Sequence, residues 1–280
     1  MMRAALPALC LLGSLGAGAS PPPPPMIDAH AHYSAPDATE FSPAAILARL
    51  DAAGVRRLVV TSSPPQLAQR LYRHAPGRII PLLGVYASDR DKGSWVHDAG
   101  LPARVAAQLE HGNWAGIGEL HLFASDARQP VFEQLVRLAA ARRLVLMLHG
   151  DAEVVEHAFV IAPEVRVLWA HLGTRPQPGP LAAMLDRHPA TLWIDTSVRD
   201  ERIAPGGALL PEWRALFERY PDRFVAAVDT FSANRWRHYA AVVAQIRDWI
   251  EPLPPPLKNR LLHDNAAQLF DAFLPSPARP

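Results

Sequence analysis

The stretch "MIDAHAHY", residues 26–33, decides how this chain is read. It follows a run of five prolines, Pro21–Pro25. A β-strand turns successive side chains to opposite faces, so a strand over 26–32 puts His30 and His32 on one face. Two imidazoles on one face are either a pair of metal ligands or two unrelated polar residues where a strand meets a loop. The rest of the chain decides between these.

From Met26 onward, short apolar runs alternate with helical patterns. Strands are expected over 26–32, 55–62, 78–86, 114–121, 143–149, 165–171, 191–197 and 223–229. Between them, "AAILARLDAA" places Ile46, Leu47 and Leu50 at helical spacing. "VFEQLVRLAAA" does the same with Val131, Phe132, Leu135, Val136 and Ala139. Further helices are expected near 65–75, 102–110, 151–161, 180–188, 211–220 and 236–250, with a short tail helix near 264–272. Several strand runs carry few charges, as parallel strands covered on both faces do. Eight β–α alternations in about 250 residues predict an α/β fold, a single-domain (β/α)8 TIM barrel over residues 26–275. The rival architecture is an open doubly wound sheet, but no Gly-x-Gly-x-x-Gly follows any strand.

The chain has 280 residues, of which 49% are hydrophobic, so it is long and apolar enough for one large domain. With 28 basic and 27 acidic residues and no long basic run, charge offers no reason to expect a nucleic acid partner. Residues 1–19 differ in character: Arg3, an apolar small-residue core, then "AGA" before Ser20. This reads as a signal peptide, followed by a proline-rich spacer over 20–25, and predicts a secreted or periplasmic protein. The sole cysteine, Cys10, lies inside that leader, so disulfide and thiolate chemistry are not expected. No other segment approaches the ~20 apolar residues of a membrane span. A small-molecule substrate is the expected partner, and monomer and homodimer stay open.

The strand ends carry the chemistry. The first ends in His30 and His32, the fourth in Glu119 and His121, the fifth in His149, the sixth in His171, the seventh in Asp195 and the eighth in Asp229. His32 and Glu119 are 87 residues apart, or 29 per βα unit, and Asp229 follows His171 by 58, again 29 per unit. A βα unit of such a barrel is about 30 residues, so these residues stand at one level of one rim. Imidazoles and carboxylates without sulfur suit Zn²⁺, Mn²⁺, Fe²⁺, Co²⁺ or Ni²⁺. Zinc is the default for hydrolysis, since it lowers the pKa of a bound water to about 7.

The motifs "DAHAH", "GIGELH", "LMLHGD", "WAHLG", "AAVDT" and the tail "HDNAAQLF" resemble those of the amidohydrolase superfamily, in particular its "amidohydrolase 2" group of TIM-barrel enzymes. The resemblance implies that His30 and His32 bind the more buried metal and that His149 and His171 bind a second one. It implies that Asp229 ligates metal and shuttles the proton. Glu119 stands where relatives place a carboxylated lysine or a glutamate bridging two metals. One or two divalent ions are thus expected. The activity implied is hydrolysis, by metal-activated water, of an amide, ester or lactone bond. Arg175, Arg199 and Arg235 follow strands six, seven and eight and suggest an anionic substrate, with His121 a further candidate contact. Tyr33, Phe231 and Trp236 are candidates for an apolar wall. The alternatives are a non-oxidative decarboxylase of the same superfamily, a TatD-like phosphodiesterase and a non-catalytic binding protein. The complete ligand set argues against the last.

Overall fold

In the computed structural model the described residues are 24–188 and 191–273. The expected signal peptide, most of the spacer and residues 274–275 of the expected barrel lie outside them. Eight parallel strands run in sequential order: β1 Met26–His32, β2 Val55–Thr61, β3 Ile79–Leu83, β4 Gly116–His121, β5 Val145–His149, β6 Arg166–Trp169, β7 Leu192–Asp195 and β8 Phe224–Val225. Helices return the chain between them, as the alternating pattern predicts. In the helix Pro130–Ala141 the buried residues are Val131, Phe132, Leu135, Val136 and Ala139. Several helices open on proline, among them those beginning at Pro43, Pro130, Pro178 and Pro211. There the missing N–H costs no hydrogen bond and the fixed φ suits the first turn. A short helix, Ala35–Glu40, follows β1 directly and was not visible in the hydrophobic pattern. Among the described residues no helix is long and apolar enough to cross a membrane.

The barrel has two apolar layers. Outside the strands, Leu58, Val60, Ile117, Leu120, Leu146 and Leu148 pack against the helices. Inside, Ile27, Val59, Ile80, Val145, Met147 and Leu168 fill the bore, and the tail helix adds Ala266, Leu269 and Phe270. Asn265 fixes that tail by donating to Pro221 O at 2.9 Å and Phe224 O at 2.8 Å. This helix, Asn265–Leu269, is the short tail helix expected near 264–272.

Between β8 and β1 the barrel closes without a regular ladder. Ala29 N donates to Ala226 O at 3.2 Å, and Asp229 N donates to His30 O at 2.8 Å. The buried Asp28 carboxylate accepts from Val228 N at 2.9 Å and from the Tyr239 hydroxyl at 2.8 Å. Two strands expected to run to the ligands stop short of them. β6 ends at Trp169 and β8 at Val225, where Ala226 N turns to Leu261 O at 2.8 Å; beyond them His171 and Asp229 adopt left-handed backbone, with φ of 60° and 56°. A side chain in that region is strained, and such strain persists where surrounding contacts impose it.

Candidate metal centre

A one-residue bulge in β1 aims the histidine pair. Asp28 lies opposite Leu58 and Ala31 opposite Val60, so three steps on β1 match two on β2. Ile27 and Ala29 already face the bore. Unbroken alternation from them would send His30 and His32 outward, and the extra residue turns both inward. β4 uses the same device. Ile117 lies opposite Leu146 and Leu120 opposite Leu148. The extra residue is accommodated at Gly118, whose φ of 136° excludes most side chains and where a Cβ would lie 2.6 Å from Met147 O. Glu119 and His121 thereby both reach the mouth of the barrel.

Glu119 sits at the centre. Its Oε1 lies 2.9 Å from His149 Nδ1 and 3.2 Å from His171 Nε2. Its Oε2 lies 3.3 Å from His32 Nε2, 3.3 Å from His121 Nε2 and 3.7 Å from His30 Nε2. Asp229 faces the same space: Oδ1 is 3.4 Å from His32 Nε2 and 3.8 Å from His30 Nε2, and Oδ2 is 3.9 Å from His171 Nε2. The six residues expected as ligands therefore converge, and His121 joins them.

A set of outer contacts holds these rings, and sequence reasoning missed it. Asp195 accepts from His30 Nδ1 at 3.0 Å and from His171 N at 3.1 Å. The Ser197 hydroxyl donates to Asp195 and accepts from His171 Nδ1 at 2.8 Å. Asp195 was legible as a polar strand end, whereas Ser197 carried no signal. Around β1, His32 N donates to Thr230 Oγ1 at 2.8 Å and the Trp236 indole donates to His32 O at 2.9 Å. Trp236 and Tyr33 are buried and support the loops, while Phe231 is exposed, so the three do not form the expected wall.

The arginines divide. Arg199 Nε donates to His171 O at 2.9 Å, and Arg235 Nε donates to Asp229 O at 3.2 Å. Each thus grips the carbonyl of a ligand residue in left-handed backbone. Arg175 is exposed on the loop after β6.

Electrostatically the centre is a cation site. Burial pushes the Glu119 carboxyl up, but the attraction of His30 and the close approach of the His149 and His171 rings outweigh it and hold it well below the usual carboxylate range. Burial likewise raises Asp195, and the charge of His30 overrides it. His30 shows the converse: burial lowers it, yet Glu119, Asp229 and Asp195 together raise it well above an ordinary imidazole. Burial, helped by the neighbouring charges of His149, Lys92 and His32, outweighs the attraction of Glu119 and pushes His121 down to about 3. Three buried carboxylates favour a proton on His30, and a divalent ion can replace that proton.

The residues fit such an ion. Asp229 Oδ1 is buried with no hydrogen-bond partner among the described residues, which is costly unless a ligand satisfies it. His30, His32 and Asp229 offer ligand atoms within 4.8 Å of one another, as do Glu119, His121 and His149. The donors are nitrogen and oxygen only, which suits a divalent ion and leaves its identity open.

None of the curated proteins compared matches this chain. Solved structures similar to it include a 4-oxalomesaconate hydratase from Rhodopseudomonas palustris, with a TM-score of 0.61 and 14% identity over 88% of this chain and 95% of that one. Another is a probable 2-pyrone-4,6-dicarboxylic acid hydrolase from Acinetobacter baumannii with citric acid bound, at 0.60 and 14% over 88% and 99%. A third is a TatD homologue from Escherichia coli K12, at 0.65 and 18% over 88% and 98%. At these identities the likeness is one of fold. The family model described as Amidohydrolase (Amidohydro_2) matches residues 27–272, the whole barrel, and the chain accordingly belongs to the amidohydrolase family of metal-dependent hydrolases.

Proposed function

We propose that this chain is a secreted or periplasmic hydrolase that uses a two-ion centre, zinc by default, to cleave an amide, ester or lactone bond in a small anionic substrate. One observation carries the reading: the two oxygens of Glu119 face different histidine sets, Oε1 toward His149 and His171 and Oε2 toward His30 and His32. A carboxylate so placed can bridge two ions. The leader over residues 1–19 supports export. The citrate bound by one relative and the exposed Arg175 support an anionic substrate.

When bound, the ions would supply a water of lowered pKa and polarise the scissile carbonyl. His30, His32 and Asp229 Oδ1 would hold one ion, and His149 and His171 the other. Asp229 Oδ2 is then the atom left for a proton. It takes one from the attacking water and returns it to the leaving nitrogen or oxygen, as base and then acid. Asp195 and Ser197 keep His30 and His171 turned toward the ions.

The test begins with metal content per chain, by plasma mass spectrometry on protein purified without chelator. Two ions support the reading, one favours a single-metal decarboxylase, and none after soaking refutes it. Asp229→Asn should cut kcat by more than 100-fold on a panel of carboxylated lactones, esters and amides while metal content stays near that of the parent. An unchanged kcat removes Asp229 from the proton path. Carbon dioxide release from aromatic acids, or phosphodiester cleavage, would replace the hydrolytic assignment.

A further inference from the structure

The direction of an outer hydrogen bond decides which ring nitrogen of a neutral histidine keeps its lone pair. An ionised carboxylate only accepts, so His30 Nδ1 carries the proton toward Asp195 and His30 Nε2 is free to ligate. The Ser197 hydroxyl gives its single proton to Asp195, so it accepts from His171 Nδ1, and His171 Nε2 is again a ligand atom.

His121 is arranged the other way round. Its outer partner is Tyr86, which follows β3. The backbone His121 N donates to the Tyr86 hydroxyl at 2.7 Å, so that oxygen already serves as an acceptor. The phenol is buried and burial raises its pKa, so it keeps its own proton. The acceptor at hand is His121 Nδ1, at 3.2 Å. With Nδ1 accepting, the proton of the neutral ring sits on Nε2, which points at Glu119 Oε2 from 3.3 Å. Trp95 Nε1 fixes the other side by donating to His121 O at 2.9 Å.

We propose that Tyr86, His121 and Glu119 form a hydrogen-bond relay in which His121 donates from Nε2 to the bridging carboxylate, as a positioning residue and not a metal ligand. This rests on the two-ion reading above and refines it. Proximity alone would make His121 a third ligand beside Glu119 and His149, whose ligand atoms lie within 4.8 Å of its own. The relay takes it out of that set. Glu119, His149 and His171 would then hold the second ion, leaving room for water and substrate. Tyr86 acts through His121, and His121 acts through Glu119, by setting the carboxylate's orientation and its strength as a donor.

Two measurements test this. In metal-free chain labelled with ¹⁵N-histidine, His121 should show an unprotonated Nδ1 and a protonated Nε2, and Tyr86→Phe should lose that preference. A proton on Nδ1 in the parent overturns the relay. The second measurement titrates zinc against a competing chelator. His121→Gln keeps a donor near the Nε2 position and should hold the parent's stoichiometry, with affinity within a few-fold. His121→Leu and Tyr86→Phe should keep the stoichiometry and lose about 10–100-fold in affinity. His149→Ala should lose a whole equivalent. Loss of an equivalent in His121→Gln would make His121 a ligand, and parent-like affinity in His121→Leu would make it a bystander; either overturns the proposal. A parent chain that takes up no ion overturns the metal-centre reading and this role with it. A wrong tautomer in a chain that does take up ions overturns this role alone.

Discussion

Replacing Arg235 with alanine removes two hydrogen bonds from the segment that carries Asp229. The guanidinium donates through Nε to Asp229 O at 3.2 Å and through Nη2 to Val228 O. Hydrogen bonds from a charged donor contribute about 1.5–3 kcal/mol each. Arg235 is partly exposed, so water replaces some of that, and about 3 kcal/mol for the pair is the working figure. In a domain of this size 1 kcal/mol moves Tm by about 2–4 °C, so Arg235→Ala should melt roughly 6–12 °C below the parent. Asp229 holds a φ of 56° against the local preference for ordinary backbone, and its Oδ1 has no hydrogen-bond partner among the described residues. Without the brace that segment can relax, so zinc affinity should fall along with Tm. Arg235→Lys should recover under half of both, since one ammonium does not span two carbonyls in a fixed fork. Thermal melts by circular dichroism and a chelator-competed zinc titration on the three chains decide the matter. Parent-like Tm and affinity in Arg235→Ala, with a loss confined to KM for anionic substrates, would show that the guanidinium serves the substrate and would refute the bracing argument.

Two further outcomes follow from the geometry. Gly118→Ala puts a methyl group 2.6 Å from Met147 O at a φ of 136°, so urea unfolding should show a loss of about 3 kcal/mol and zinc should bind more weakly; a loss under about 0.5 kcal/mol would mean the β4 bulge has slack. Asp200 is buried and accepts from Trp249 Nε1 at 2.9 Å, and burial raises its pKa above that of the unfolded chain. Its contribution is therefore present at acid pH and lost as pH rises from the ordinary carboxylate range through the raised value. Asp200→Asn keeps the acceptor without the ionisation, so its stability relative to the parent should grow across that window in urea unfolding, and a pH-independent difference would contradict this.

The level of the centre was legible in the sequence because βα units repeat with nearly constant length. His32, Glu119 and Asp229 therefore reach one rim whatever the details of each strand. The direction of the side chains was legible only in part, and the bulges explain why. His30 and His32 lie on the same side of the extra residue in β1, as Glu119 and His121 do in β4, so a spacing of two still places each pair on one face. Which face that is depends on a slip that alternating hydrophobicity does not encode. Reading inward from Ile27 and Ala29 would have turned the ligands out of the barrel. The ends of β6 and β8 were overrun for a related reason: "VRVLWAH" and "RFVAAVD" are strand-like to their last residue, but Ala226 N leaves the ladder for Leu261 O, and His171 and Asp229 adopt left-handed backbone that only tertiary contacts impose. Those contacts include Arg199 and Arg235, whose position on rim loops suggested a substrate anion while their hydrogen bonds run to the chain itself. The outer partners were the least legible. Asp195 meets His30 across 165 residues, and Tyr86 meets His121 across 35, each from a different element. No local period links such pairs. Yet at His30, His171 and His121 the outer partner decides which ring nitrogen carries a proton. Residue type and spacing could nominate seven polar groups for this centre; separating His121 from the ligands required the direction of its hydrogen bond with Tyr86.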